Sequence, residues 1–248
     1  AIQRLSGNDR VLGTYVDGVA KAFPVEILDH HEVVNDWTSA TRMVVTYCPL
    51  CGSGMAFATP QNGQAVFGVS GLLYNSDVLL YDHATESLWS QLLGHAISGP
   101  SAGERLTQIP LIHTRYGDWL ARHPDTWVLS RKTGYRNIPY GRTPYPGYER
   151  SSRVWFPVAA RDNRYPAKAW VLGVSVNGQH KAYPFTELEK TSGEIIDSLA
   201  DSELKIYFED GAAWAQSADG ELLPAIRLFW FAWYAFHPET QVFTAADD

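Results

Sequence analysis

The stretch VLGTYVDGVAKAFPVEIL, from Val11 to Leu28, returns 160 residues later as VLGVSVNGQHKAYPFTEL, from Val171 to Leu188, with nine of eighteen positions identical. A second pair, WLARHPDTWV from Trp119 and WYAFHPETQV from Trp233, matches at an offset of 114. Such a repeat constrains the fold strongly, because each copy must take the same local structure. Each copy opens as a hairpin around Asp17-Gly18 or Asn177-Gly178, dipeptides that tolerate the positive φ of a two-residue turn. Pro24 and Pro184 suit the first turn of short helices over Val25–Leu28 and Phe185–Leu188. Alternation predicts strands at Arg42–Tyr47 and Leu204–Phe208, and a second hairpin joins Asp77–Asp82 to Ser87–Leu92. Helices over Tyr116–Arg122 and Trp233–Phe236 stop ahead of Pro124 and Pro238. The drop in offset from 160 to 114 means that the second copy lacks about 46 residues, and it has no counterpart of Cys48, Cys51 or the FGVSGLLYNSD that follows them.

These elements predict an α+β fold, mostly antiparallel β with short helices, built from two duplicated modules of which the second is shortened. The expected division is a first module over residues 1–131 carrying the cysteine site, an ordered Gly/Pro/Tyr/Arg-rich connector over 132–167, and a second module over 168–248 without the site. A net charge of −7 and the lack of any basic run argue against a nucleic-acid partner. The apolar stretch Phe229–Phe236 falls far short of the roughly 20 residues a membrane span needs. The start at Ala1 suits a processed N-terminus.

Both cysteines lie in TYCPLCGSG, residues 46–54. One reading is redox: a C-x-x-C pair in which Cys48 attacks as thiolate, Cys51 resolves the mixed disulfide, and His31 serves as a nearby base. That reading requires Cys48 to be the more accessible sulfur. Gly52-Ser53-Gly54 is a poor helix start, so the helix N-terminus that lowers a thiol pKa is not expected here. The second reading is a soft-metal site, copper or zinc, since C-P-x-C-G is also a metal knuckle. No second C-x-x-C exists, so His31 is the preferred third ligand, with His95 and Asp77 behind it. His31–Asn35 falls short of H-E-x-x-H because Asn35 stands where a histidine is needed. The third reading is structural, although a loop closed over two residues is an inefficient staple.

The ordered series A-K-A-F-P, H-E-V-V-N-D, T-Y-C-P-L-C-G-S-G, F-G-V-S-G-L-L-Y-N-S-D and S-L-W-S-Q, with P-Y-P-G-Y in the connector, resembles the prokaryotic family catalogued as domain of unknown function 3179. The likeness runs from about Val11 to Phe243. It brings no reaction, but implies an exported, periplasmic or secreted protein. Some family members are selenoproteins, and selenocysteine at the thiol positions would make Cys48 and Cys51 reactive rather than structural. On that basis thiol redox chemistry with an unknown redox partner is the first expectation. Soft-metal binding by Cys48, Cys51 and His31, with a metal-donor partner, is the alternative, and a structural or surface protein with vestigial cysteines the third. Asp77, Asn75, Ser53 and Trp89 are expected around the site as supporting residues. Gly68 and Gly71 predict a bulge. His123 and His237 recur in both copies and read as helix-end residues.

Overall fold

The computed structural model describes residues 5–60 and 66–245. Strand β1 (Arg10–Val16) pairs with β2 (Val19–Pro24) through a turn in which Asp17 and Gly18 both take positive φ. Helix α1 (Val25–His31) leaves directly from Pro24 and ends on Glu32 in the left-handed region. Strands β3 (Val33–Trp37), β4 (Arg42–Cys48) and β5 (Ser53–Thr59) form one meander. A second joins β6 (Phe67–Tyr74), β7 (Asp77–Asp82), β8 (Leu88–Ser90) and β9 (His95–Ser98), with an irregularity between Val69 and Leu73 where Gly71 has a φ of 77°. Strand β10 (Thr107–Ile109) returns to the edge of β5, and β11 (Ile112–Arg115) to the edge of β1. Helix α2 (Tyr116–Arg122) and β12 (Trp127–Val128), parallel to β2, follow. The chain then runs without helix or strand to β13 (Trp170–Val176). Next come β14 (Gln179–Pro184), α3 (Phe185–Leu188), β15 (Ile195–Leu199), β16 (Ser202–Glu209), β17 (Ala212–Ser217), β18 (Ala225–Phe229), α4 (Trp230–Phe236) and β19 (Gln241–Val242).

The repeated segments take the same structure. The sheets β11-β1-β2-β12 and β18-β13-β14-β19 have the same order, and Leu12 opposite Phe23 matches Leu172 opposite Tyr183. In each, a tryptophan lies flat against a glycine. A Cβ on Gly13 would sit 2.4 Å from Trp119, and one on Gly173 would sit 2.3 Å from Trp233. The two indole N–H groups donate to Thr126 and Thr240 at 2.8 Å each.

The expected α+β, two-module fold is nevertheless incorrect. The protein is mostly β, 44% strand and 11% helix, arranged as a five-blade β-propeller. Its other three blades are β10-β5-β4-β3, β6-β7-β8-β9 and β15-β16-β17. Two physical facts overturn the expectation. The helices among the described residues are four to seven residues long, too short to form a layer of their own. The largest apolar cluster also draws on both copies, from Val44, Cys48 and Phe57 to Val171, Leu228 and Trp233, so the main core is shared between the expected modules and only smaller clusters lie within each. The repeat matches two pairs of blades among the five, β11-β1-β2-β12 with β18-β13-β14-β19 and β3-β4-β5 with β15-β16-β17. Strand β5 packs against β18 and β11 against β17, which is one contact with the copies exchanged.

Two outcomes are expected. Gly13→Ala and Gly173→Ala should each destabilise by about 1–3 kcal/mol through overpacking against the indole, measured by urea denaturation. His113 is buried, has no hydrogen-bond partner for either ring nitrogen among the described residues, and is held well below its ordinary pKa by burial, then by Arg227 and Arg10. Its unfolded counterpart takes up a proton near pH 6.5, so the stability of the neutral folded form is complete above that pH and is lost as pH falls. His113→Phe should gain on the wild type by about 1.4 kcal/mol for each pH unit below that point.

Candidate functional site

The cysteines occupy the hairpin between β4 and β5. Cys48 closes the ladder opposite Ser53, and the Cys51 N–H donates to the Cys48 carbonyl at 3.2 Å, giving a tight turn with Pro49 at its second position. Proline's fixed φ suits that place. Gly52 follows with a φ of 66°, and a Cβ there would lie 2.5 Å from the Trp170 ring. Glycine is required twice over, for the left-handed backbone and for the close approach. The Phe229 N–H donates to the Cys51 carbonyl at 2.9 Å, so residues of the second repeat clamp the turn. No helix begins at this motif.

A second hairpin meets it. Between β6 and β7 the residues Asn75 and Ser76 both have positive φ, 50° and 66°, as a primed two-residue turn demands. The Asn75 side chain fixes this tip, its amide donating to the Ala235 carbonyl at 3.3 Å and its oxygen accepting from the Ala159 N–H at 2.9 Å. The Ser76 carbonyl consequently lies 3.4 Å from Cys51 Sγ and 4.0 Å from Cys48 Sγ. Asp77, the next residue, brings a carboxylate oxygen into a group with both sulfurs in which all three atoms lie within 4.8 Å of one another.

All three residues are buried, and both thiols are free. Cys48 is 1% exposed and Cys51 0%, so neither is the accessible sulfur that thiol exchange requires. One Asp77 oxygen accepts from the Leu92 N–H at 3.1 Å, and the other has no partner among the described residues. Burial raises the Asp77 pKa to about 7 against the opposing pull of the Leu92 N–H and the thiols. Burial also pushes the Cys51 thiol well up, with Cys48 and Asp77 adding to it. Burial thus favours the protonated forms of Asp77 and Cys51 unless a cation joins them.

The other expected residues are distributed as follows. Ser53 donates to the Gln91 side-chain oxygen at 2.8 Å, and the Gln91 amide donates to Thr46 at 2.8 Å, a buried polar chain behind the cysteine hairpin. Trp89 packs edge-on against Phe67 and donates to Asp82 at 2.9 Å. His31 ends α1 with Nε2 2.5 Å from the Tyr140 hydroxyl and its ring against Tyr135. It is outside the three-donor group, as is His95. Asp77, expected as a supporting residue or as a ligand behind His31, is one of the three donor residues. The Ser76 carbonyl and the Tyr148 hydroxyl join the surroundings of the site without a signal in the sequence. Tyr148, from the P-Y-P-G-Y of the connector, is buried with a hydroxyl lacking a partner among the described residues, and burial and the charge of both thiols raise its pKa. A cavity of about 320 Å³ reaches the outer side of the turn at Pro49, lined by Arg10, Asp29, Tyr47, Tyr145 and Tyr148 among others.

The family described as "Protein of unknown function (DUF3179)" matches residues 1–240, and the chain belongs to it. Neither the curated proteins nor the solved structures compared with it hold a match. Among the described residues no helix is long and apolar enough to cross a membrane.

Asp77→Asn tests the electrostatics directly. The raised folded pKa, about 7 against 3.8, means that folding favours the protonated acid, so its contribution is complete below the unfolded value and lost as pH rises towards 7. In metal-free protein the asparagine, which keeps an acceptor for Leu92, should gain on the wild type steadily between about pH 4 and 7 in denaturation midpoints.

Proposed function

We propose that this member of a family of unknown function binds one metal ion between Cys48, Cys51 and Asp77, zinc being the best fit. The single observation that carries the reading is the convergence of two free thiols and a half-satisfied carboxylate within 4.8 Å in a fully buried place. Two sulfurs favour a soft or borderline ion, and a carboxylate in the set favours Zn(II) over Cu(I), which prefers sulfur throughout. The Ser76 carbonyl is the nearest candidate for a fourth donor. A tight turn with Pro49 second and a left-handed Gly52 after Cys51 also suits a metal knuckle better than a redox motif, which gains its reactivity from a helix N-terminus. His31 leaves the proposed ligand set. In the extracytoplasmic setting implied by family resemblance, bound metal would also protect the thiols from oxidation.

One observation favours the redox reading. A buried carboxyl with a pKa of about 7 beside Cys51 can accept the proton of a resolving thiol near neutrality.

Elemental analysis of protein purified without chelator separates the two. The expected result is one zinc per chain, with affinity reduced at least about 100-fold in Cys48→Ser, Cys51→Ser and Asp77→Asn, beyond the 10–100-fold typical of outer-shell changes. Affinity should climb with pH as protons are displaced from the thiols. Protein that arrives metal-free and, once reduced, takes up neither Zn(II) nor Cu(I) would overturn the proposal. Rapid alkylation of Cys48 in that protein would favour the redox reading.

A further inference from the structure

Two tryptophans stand out into solvent at the edges of two blades. Trp37, at the end of β3, is 65% exposed, and Trp127, at the start of β12, is 71% exposed. Neither ring makes a ring contact among the described residues, and both line one groove of about 320 Å³. Exposed indoles on a folded surface cost solvation and call for an explanation. Both strands are blade edges, β3 in one sheet and β12 in another. Between them lies Lys21, opposite Trp127 in the ladder, its ammonium 2.8 Å from Asp36 and 2.6 Å from the Trp37 carbonyl.

The repeat supplies an internal control. Lys181 and Asp197 form the same ion pair in the second copy. The Ser198 N–H donates to Asp197 at 2.7 Å as the Trp37 N–H donates to Asp36 at 2.8 Å, and Lys181 lies opposite Gln241 as Lys21 lies opposite Trp127. The scaffold therefore forms with Ser198 and Gln241 in the places of Trp37 and Trp127. Neither indole is needed to build its blade.

We propose that this groove binds a neutral glycan, seating sugar rings against Trp37 and Trp127. Indole faces offer a broad apolar platform with a polar edge, which suits the C–H faces of a pyranose. The remaining chemistry points the same way. The ammonium and carboxylate between the tryptophans are paired, 11% and 23% exposed, so the groove presents a donor and an acceptor side by side with no net charge. That combination matches a hydroxyl, which donates and accepts at once. An anion or a lone cation would find its opposite charge already partnered. At about 320 Å³ the groove is at the lower end of small-molecule sites, about 300–1,000 Å³.

The test uses the full chain on a broad printed glycan array, followed by calorimetric titration with the oligosaccharide retained. Trp37→Ser and Trp127→Gln carry the residues that the second copy tolerates, so both should fold, checked by unchanged circular dichroism. Selective retention of a neutral glycan, with affinity falling at least tenfold in each variant, supports the proposal. An array with no neutral glycan retained overturns it. So does affinity in both variants within twofold of the wild type, or retention of charged glycans only.

Discussion

The approach of Trp170 and Phe229 onto Gly52 is the contact on which the rest of the site depends. It lets residues at the start and end of a second-repeat sheet cover a turn between two strands of another blade, and the Phe229 N–H satisfies the Cys51 carbonyl that this covering would otherwise strand. A buried carbonyl without a partner costs about 1–3 kcal/mol. With this seal in place, the sulfurs belong to the apolar core that contains Leu228, Trp230 and Trp233.

That environment sets the chemistry. The cysteine hairpin supplies two thiols and the Asn75-Ser76 hairpin supplies a carbonyl and a carboxylate, each oriented by backbone conformation rather than by flexible side-chain reach. Burial keeps protons on Asp77 and Cys51 at pH values where exposed carboxylates would be ionised. A cation bound among them would replace those protons, which is why metal occupancy and protonation are two descriptions of one equilibrium here.

Much of the local structure was legible in the sequence. Asp17-Gly18, Asn177-Gly178, Pro24 and Pro184 have positional meanings that the fold respects, and the paired Trp119 and Trp233 occupy equivalent places over equivalent glycines. The blade arrangement was not legible, because β5 meets β18 across most of the chain and no local pattern records such a contact. The same holds for the site. Asp77 reads as a supporting residue or a fallback ligand, and its place among the donors follows the left-handed Asn75-Ser76 turn, which no local pattern records. His31 sits one strand before the cysteines, yet tyrosines of an aperiodic connector hold its ring elsewhere. The redox reading needs an accessible Cys48, yet its sulfur lies in the main apolar cluster with residues as distant in sequence as Leu228 and Trp230.

The clamp on Gly52 also has a temporal meaning. Its two parts, Trp170 and Phe229, enter the chain long after Cys48 and Cys51. Contacts of such sequence separation form late, since the loop between them must be closed first. During synthesis the thiols and Asp77 therefore exist before their cover does. A metal ion bound at the proposed site would have to arrive in that interval, or wait for the late strand to lift away.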